Sequence, residues 1–165
     1  MRGLICCVSM FLLLATAYAA DDIQGKITAI DIEGRTIEIS GVKIIAKNAK
    51  IENLNDTICT LADLKVGDSV DVDGIFSGPG EMTATKIEQE GVVQDQIEGS
   101  LEAVDSAART LTISGIKVKV PAGAFLEGKK DMPITLEQLT IGTRVECEGT
   151  WTGSRELTAS KVEVD

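Results

Sequence analysis

Carboxylates are the commonest side chains in this chain that could do chemistry, and two groups of them stand at suggestive spacing. Asp68, Asp71 and Asp73 lead into Gly74, and Glu146 and Glu148 lead into Gly149. Carboxylate oxygens are hard ligands, so these five residues are the candidate set for Ca²⁺ or another divalent cation. Their spacing departs from the calcium-loop template, and no glutamate follows at the distance that template requires. Asp71 and Asp73 also alternate with Val70 and Val72, as on the solvated face of a strand. A cation site therefore requires that the two acidic faces adjoin.

Phe76 and Trp151 follow those same glycines by two residues. An aromatic ring at a barrel mouth can stack on a sugar or base, which makes the pair the candidate ligand-binding residues. Position 76 shares parity with Val70 and Val72, and that parity favours a plug closing one end of a core. Acid pairs such as Glu52 with Asp56, or Glu88 with Glu90, have the chemistry for acid–base work, but they read as ordinary surface charge. The chain contains no histidine. His-dependent triads, imidazole metal ligands and histidine pH switches are thereby removed. No activated-cysteine signature is present, so a non-enzyme without a cofactor is expected.

Residues 1–20 read as a secretory signal peptide. Arg2 is a short positive region, Leu4 to Leu14 is apolar, and Ala17-Tyr18-Ala19 is an A-x-A cleavage site followed by Ala20-Asp21-Asp22. The apolar run is shorter than the ~20 residues that span a bilayer. Cys6 and Cys7 lie near its start, not at its end where a lipidated cysteine would follow cleavage. Cleavage near Ala19 or Ala20 would leave a periplasmic or secreted chain without a membrane span. The sequence holds 16 basic and 26 acidic residues. Arg2 is the only charge in the leader, so the cleaved chain stands at −11. Such a surface repels phosphate backbones and anionic lipids. With only Phe76, Phe125 and Trp151 as aromatics beyond the leader, no nucleic-acid partner is expected. Cys59 and Cys147 remain after cleavage. An oxidising compartment permits a disulfide between them, while Cys147 also stands where the first copy has Val72 and reads as a small buried apolar residue.

Everything after the leader is said twice. Gly25 returns as Gly99, 74 residues on, and Gly67 returns as Gly142, 75 residues on. A period this long makes each copy a small domain, residues 21–91 and 97–165, joined by a linker at 92–96. Both copies alternate apolar and β-branched residues with polar ones at period two: Ile37 and Ile39 match Leu111 and Ile113, and Val42 and Ile44 match Ile116 and Val118. That is the pattern of half-buried strands. Ser40-Gly41 and Ser114-Gly115 are tight turns that make hairpins of Thr36–Lys47 and Thr110–Val120. The alternation slips at Ala29-Ile30 and Ala103-Val104, and again after Ala84 and Ala159, as at β-bulges. Leu61 and Leu64, like Leu136 and Leu139, are spaced for one helical turn that Thr60 or Thr135 would cap. The expected architecture is all-β: two tandem small OB-like barrels, closed or partly open, each with five or six strands and one short helical turn. A small open sandwich is the alternative. A domain of about seventy residues buries only ~60% of its unfolded surface, so the copies are expected to support each other, with Val92 and Val93 between them.

The shared pattern runs Gly25, Ile27, Asp31, Thr36, Ile37, Gly41, Leu61, Leu64, Gly67, Asp68, Val70, Val72, Gly74, Ala84, Lys86 and Ile87. The second copy follows through Gly99, Asp105, Thr110, Gly115, Leu136, Leu139, Gly142, Val145, Gly149, Ala159 and Lys161, with Thr143 in place of Asp68. This resembles the bacterial family catalogued as domain of unknown function 5666, found in tandem in exported proteins. The resemblance implies a small β-barrel and carries no activity, because its motif is made of glycines and apolar strand positions. An exported family of OB-fold proteins with envelope-stress roles is similar in architecture only. The expected function is a non-catalytic binding or interaction module of the cell envelope, engaging a small molecule or an envelope protein. The alternatives are a structural or assembly protein of the periplasm, or a weak divalent-cation binder.

Overall fold

The computed structural model describes residues 20–164. Apart from Ala20, the expected signal peptide lies outside the described residues. The first repeat contributes β1 (Asp21–Asp31), β2 (Thr36–Ile39), β3 (Val42–Ile45), β4 (Lys50–Glu52), a 3₁₀ turn at Leu61–Asp63, β5 (Ser69–Gly78) and β6 (Glu81–Glu90). The second contributes β7 (Asp95–Asp105), β8 (Thr110–Ile113), β9 (Ile116–Lys119), β10 (Phe125–Gly128), β11 (Met132–Pro133), a 3₁₀ turn at Leu136–Gln138, β12 (Arg144–Gly153) and β13 (Glu156–Val164). The described residues are all-β, with no α-helix.

Local chemistry explains the elements. Ser40 and Gly41 both take positive φ, at 47° and 81°, and Ser114 and Gly115 repeat this at 48° and 71°. Two consecutive left-handed residues make the turn whose twist matches the flanking strands. Asp31 accepts the Gly34 N–H at 2.8 Å, and Asp105 accepts that of Ala108 at 2.8 Å, closing the turn after each long first strand. The 3₁₀ turns begin at Thr60 and Thr135. The Asp63 carboxylate accepts the Thr60 N–H at 2.8 Å, and the Gln138 side-chain oxygen accepts the Thr135 N–H at 2.8 Å. The sequence slips are bulges: register shifts between Ile27 and Ala29, and between Leu101 and Ala103. Thr85 and Ser160 are the unpaired extra residues opposite Asp73-Gly74 and Glu148-Gly149. At Gly74 and Gly149 any Cβ would run into the carbonyls of Thr83 and Thr158 on the facing strand. Only glycine permits this approach.

In the first repeat, β1 pairs with β2, β2 with β3, β3 with β6, β6 with β5, and β5 with β1, so the ladder returns to its first strand. In the second, β7, β8, β9, β13 and β12 repeat that circuit. The short β4 adds in parallel to β6, and β10 to β13.

The place where the repeats meet differs from the sequence expectation. The repeats are not separate bodies, because β1 also pairs antiparallel with β7 and all thirteen strands form one hydrogen-bonded network. Val92, expected between the repeats, is 94% exposed. The contact is made by the first strands instead. Ile23 faces Ile97 across the β1–β7 ladder, and both are fully buried. These are equivalent residues, 74 apart, so the repeats are related by a pseudo-two-fold axis through that pair. A single core cluster runs through both, including Ile27, Ile39, Val70 and Val72 with their counterparts Leu101, Ile113, Val145 and Cys147.

Candidate functional site

The pseudo-two-fold junction holds both aromatics singled out in the sequence. Phe76 and Trp151 lie on β5 and β12 and are half-buried against the core. Trp151 donates its ring N–H to the Gln24 carbonyl at 3.0 Å and its backbone N–H to Asp95 at 2.8 Å. Phe76 donates its backbone N–H to Asp21 at 2.9 Å. A Cβ on Gly25 would stand 2.8 Å from the Trp151 ring nitrogen, and one on Gly99 would stand 3.7 Å from the Phe76 ring. Each aromatic therefore covers the glycine in the first strand of the other repeat. The turns dock with the same reciprocity: Gly80 donates to the Ser114 carbonyl at 2.7 Å, and Arg155 to that of Ser40 at 2.6 Å. Both rings fasten one repeat to the other.

The five acids of the candidate cation set are not brought together. Asp71 and Asp73 on β5 are separated from Glu146 and Glu148 on β12 by the two intervening strands β1 and β7. Asp68 accepts the Lys65 N–H at 2.9 Å and the Gln89 amide at 3.0 Å. Lys161 lies 3.8 Å from Glu148 and also pairs with Glu127 and Glu163. Hydrogen bonds to Glu163 first, and to Glu127, hold the Lys161 ammonium above its ordinary range. Among the described residues no group of three or more acids or thiols is arranged to hold a metal ion.

What fills the space between the two acidic faces was missed in the sequence. Asp22, Gln24, Gln96 and Glu98 flank Ile23 and Ile97, and the ladder sets Asp22 opposite Glu98 and Gln24 opposite Gln96. Asp22 is only 9% exposed. It accepts the Gln96 amide at 3.2 Å, while Gln24 donates to Asp71 at 3.0 Å. Burial first, then the adjacent Asp71 carboxyl, push Asp22 up to about 9. Burial also raises Asp73, with the Asp71 charge adding to it. Arg144 joins the repeats from the other side, at 2.6 Å from Glu98 and 3.0 Å from Asp21. The available signal was the swap of acid and amide between Asp22-Ile23-Gln24 and Gln96-Ile97-Glu98.

Cys59 and Cys147 are both free thiols. Cys147 is fully buried at the Val72 position, and burial pushes its thiol up to about 12. A thiol held protonated is a poor nucleophile.

One surface distinguishes the repeats. Pro121–Ala124 is one residue longer than its counterpart Lys47–Ala49, and Phe125 follows where the first repeat has Lys50. Lys50 pairs with Glu52 at 2.8 Å, whereas Phe125 is 72% exposed. Phe125 lines two hollows. One, of about 460 Å³, is walled by Leu126, Ile134 and Leu136 and rimmed by Arg109 and Glu137. The other, of about 500 Å³, lies against Pro121, Ala159 and Lys161. The inserted residue was the sequence signal for this place, and sequence reasoning gave Phe125 no role.

These features define a class: an all-β tandem-repeat protein whose matched positions serve the fold and the junction. Residues 24–88 and 98–163 each match the family described as a domain of unknown function, DUF5666. The chain belongs to that family, in two copies. No curated protein matches it.

Proposed function

We propose that the protein is an exported, non-catalytic binding or interaction module of the bacterial cell envelope, built from two small OB-like barrels locked into one body. The barrel reading is supported by the return of each ladder to its first strand. A β-solenoid of about three turns is the competing arrangement. A solenoid stacks its strands in parallel, whereas β1–β2, β2–β3, β5–β6 and β1–β5 are antiparallel. Export rests on the leader pattern of residues 1–20.

The observation that carries the binding reading is Phe125. At equivalent positions one repeat shows a paired lysine and the other an exposed aromatic residue that lines two hollows. An aromatic face with polar groups at its rim suits a small ligand having both an apolar face and hydrogen-bonding edges. The test is a thermal-shift screen of sugars, divalent cations and envelope metabolites against the wild type and Phe125→Ala. A ligand at a hundred times its Kd adds ~2.7 kcal/mol to stability. It should raise the melting temperature of the wild type and not that of the variant. A screen without response, together with isolation of the protein in a stable envelope complex, would favour the structural or assembly role.

A further inference from the structure

The junction contains a polar atom that the other described residues leave unanswered. Oδ1 of Asp71 is buried and has no hydrogen-bond partner among the described residues. Its other oxygen takes the Gln24 amide. Beside it, diagonally across the β1–β5 ladder, stands the buried Asp22 carboxyl, with one oxygen occupied by the Gln96 amide. Two ionised carboxylates in that position would repel each other and leave Oδ1 of Asp71 without a donor. Burying a polar oxygen without a donor is costly, and burying a charge without a partner more so.

We propose that Asp22 and Asp71 share one proton at neutral pH, donated from Asp22 to Oδ1 of Asp71, and that this proton fastens β1 to its neighbours at the junction of the two repeats.

The groups around the pair reinforce one sign. From β5, Asp73 lies directly opposite Asp22; from β7, Glu98 does so. Arg144 on β12 is turned to Glu98 and Asp21. Lys86 on β6 faces Asp73 and is shared by Glu52 and Glu88. The neighbouring carboxylates thus oppose ionisation of the shared site, and the nearby cations are engaged by other acids. Three of the four residues at the pair itself, Asp22, Gln24 and Asp71, belong to the first repeat. The fourth, Gln96, belongs to the second and donates to Asp22, so the proton joins β1 to β5 within the first repeat at the place where the second repeat contacts it.

The direction with pH follows. A carboxyl whose folded-state pKa lies above its unfolded value keeps a proton that the unfolded chain has lost. Its stabilisation is complete below the ordinary carboxylate range near 4. It declines as pH rises and is gone above about 9, where Asp22 ionises in the folded protein.

The experiment is a ¹³C-carboxyl NMR titration of the folded chain, paired with melting curves from pH 5 to pH 9 for the wild type, Asp22→Asn and Asp71→Asn. The proposal expects the Asp22 carbon to titrate well above 7. It also expects the wild-type melting temperature to fall as pH rises and the Asp22→Asn curve to be flatter, since its amide donates at every pH. Titration of Asp22 near 4, or wild-type and Asp22→Asn curves that run parallel, overturns it. Should Asp22→Asn fail to fold, the wild-type titration decides alone, and Asp71→Asn supplies the second melting comparison.

Discussion

Truncating Trp151 is the sharpest perturbation of the junction. Trp151→Ala removes a half-buried indole, its hydrogen bond to the Gln24 carbonyl at 3.0 Å, and the cover over Gly25. Complete truncation of a buried tryptophan costs ~3–5 kcal/mol. The ring here is partly exposed, so the lower end, ~3 kcal/mol, is the appropriate figure. Trp151→Phe keeps most of the apolar contact and loses the ring N–H, so it should cost ~1 kcal/mol. Phe76→Ala, the reciprocal change, lacks the ring hydrogen bond and should fall between them. At ~3 °C per kcal/mol for a chain of this size, Trp151→Ala should lower the melting temperature by ~10 °C. Urea titration followed by far-UV circular dichroism measures all three. Trp151 is the sole tryptophan in the chain, so wild-type fluorescence reports the junction, and its transition should coincide with the dichroism. A cost below ~1 kcal/mol for Trp151→Ala, or a fluorescence transition well ahead of the backbone transition, would refute the junction role of the ring.

Two further substitutions bracket the packing argument. Gly149→Ala drives a Cβ into the Thr158 carbonyl on the paired strand. The backbone must shift, at a cost of ~1–3 kcal/mol, read as a lower urea midpoint at unchanged slope. Val92→Asp alters a residue that is 94% exposed, and should move stability by less than ~0.5 kcal/mol.

Much of the fold was readable because the chain carries its own comparison. A glycine present twice at the same offset, such as Gly74 with Gly149, signals backbone geometry that a single copy would leave ambiguous. Both sit at the close approach of β5 to β6, or of β12 to β13. Positive φ at Ser40-Gly41 and Ser114-Gly115, and the paired bulges, follow from the same reasoning. Cys147 was identifiable as a buried apolar residue because its twin is Val72.

The junction was not readable in the same way. Pairing β1 with β7 is a contact between equivalent segments, and each must already pair with the strands of its own repeat. Alternation in Asp22-Ile23-Gln24 reveals a buried isoleucine without revealing that both edges of the strand are occupied. Apolar Val92 and Val93 drew attention to the connection, yet contact there would gain less than the ladder that buries Ile23 and Ile97. Similarly, the acids on β5 and β12 looked like one site only while the strands between them were unknown. Phe125 was passed over because its significance lies in a departure from Lys50, and matching the repeats emphasises what they share.

The central claim is that two repeats, each marginal at its size, unfold as a single cooperative unit through the β1–β7 ladder and the reciprocal aromatic–glycine contacts. Differential scanning calorimetry tests it directly by comparing the van't Hoff and calorimetric enthalpies of the whole chain. The account predicts one transition with a ratio near one. A ratio of about one half, as two similar repeats melting independently would give, would contradict it.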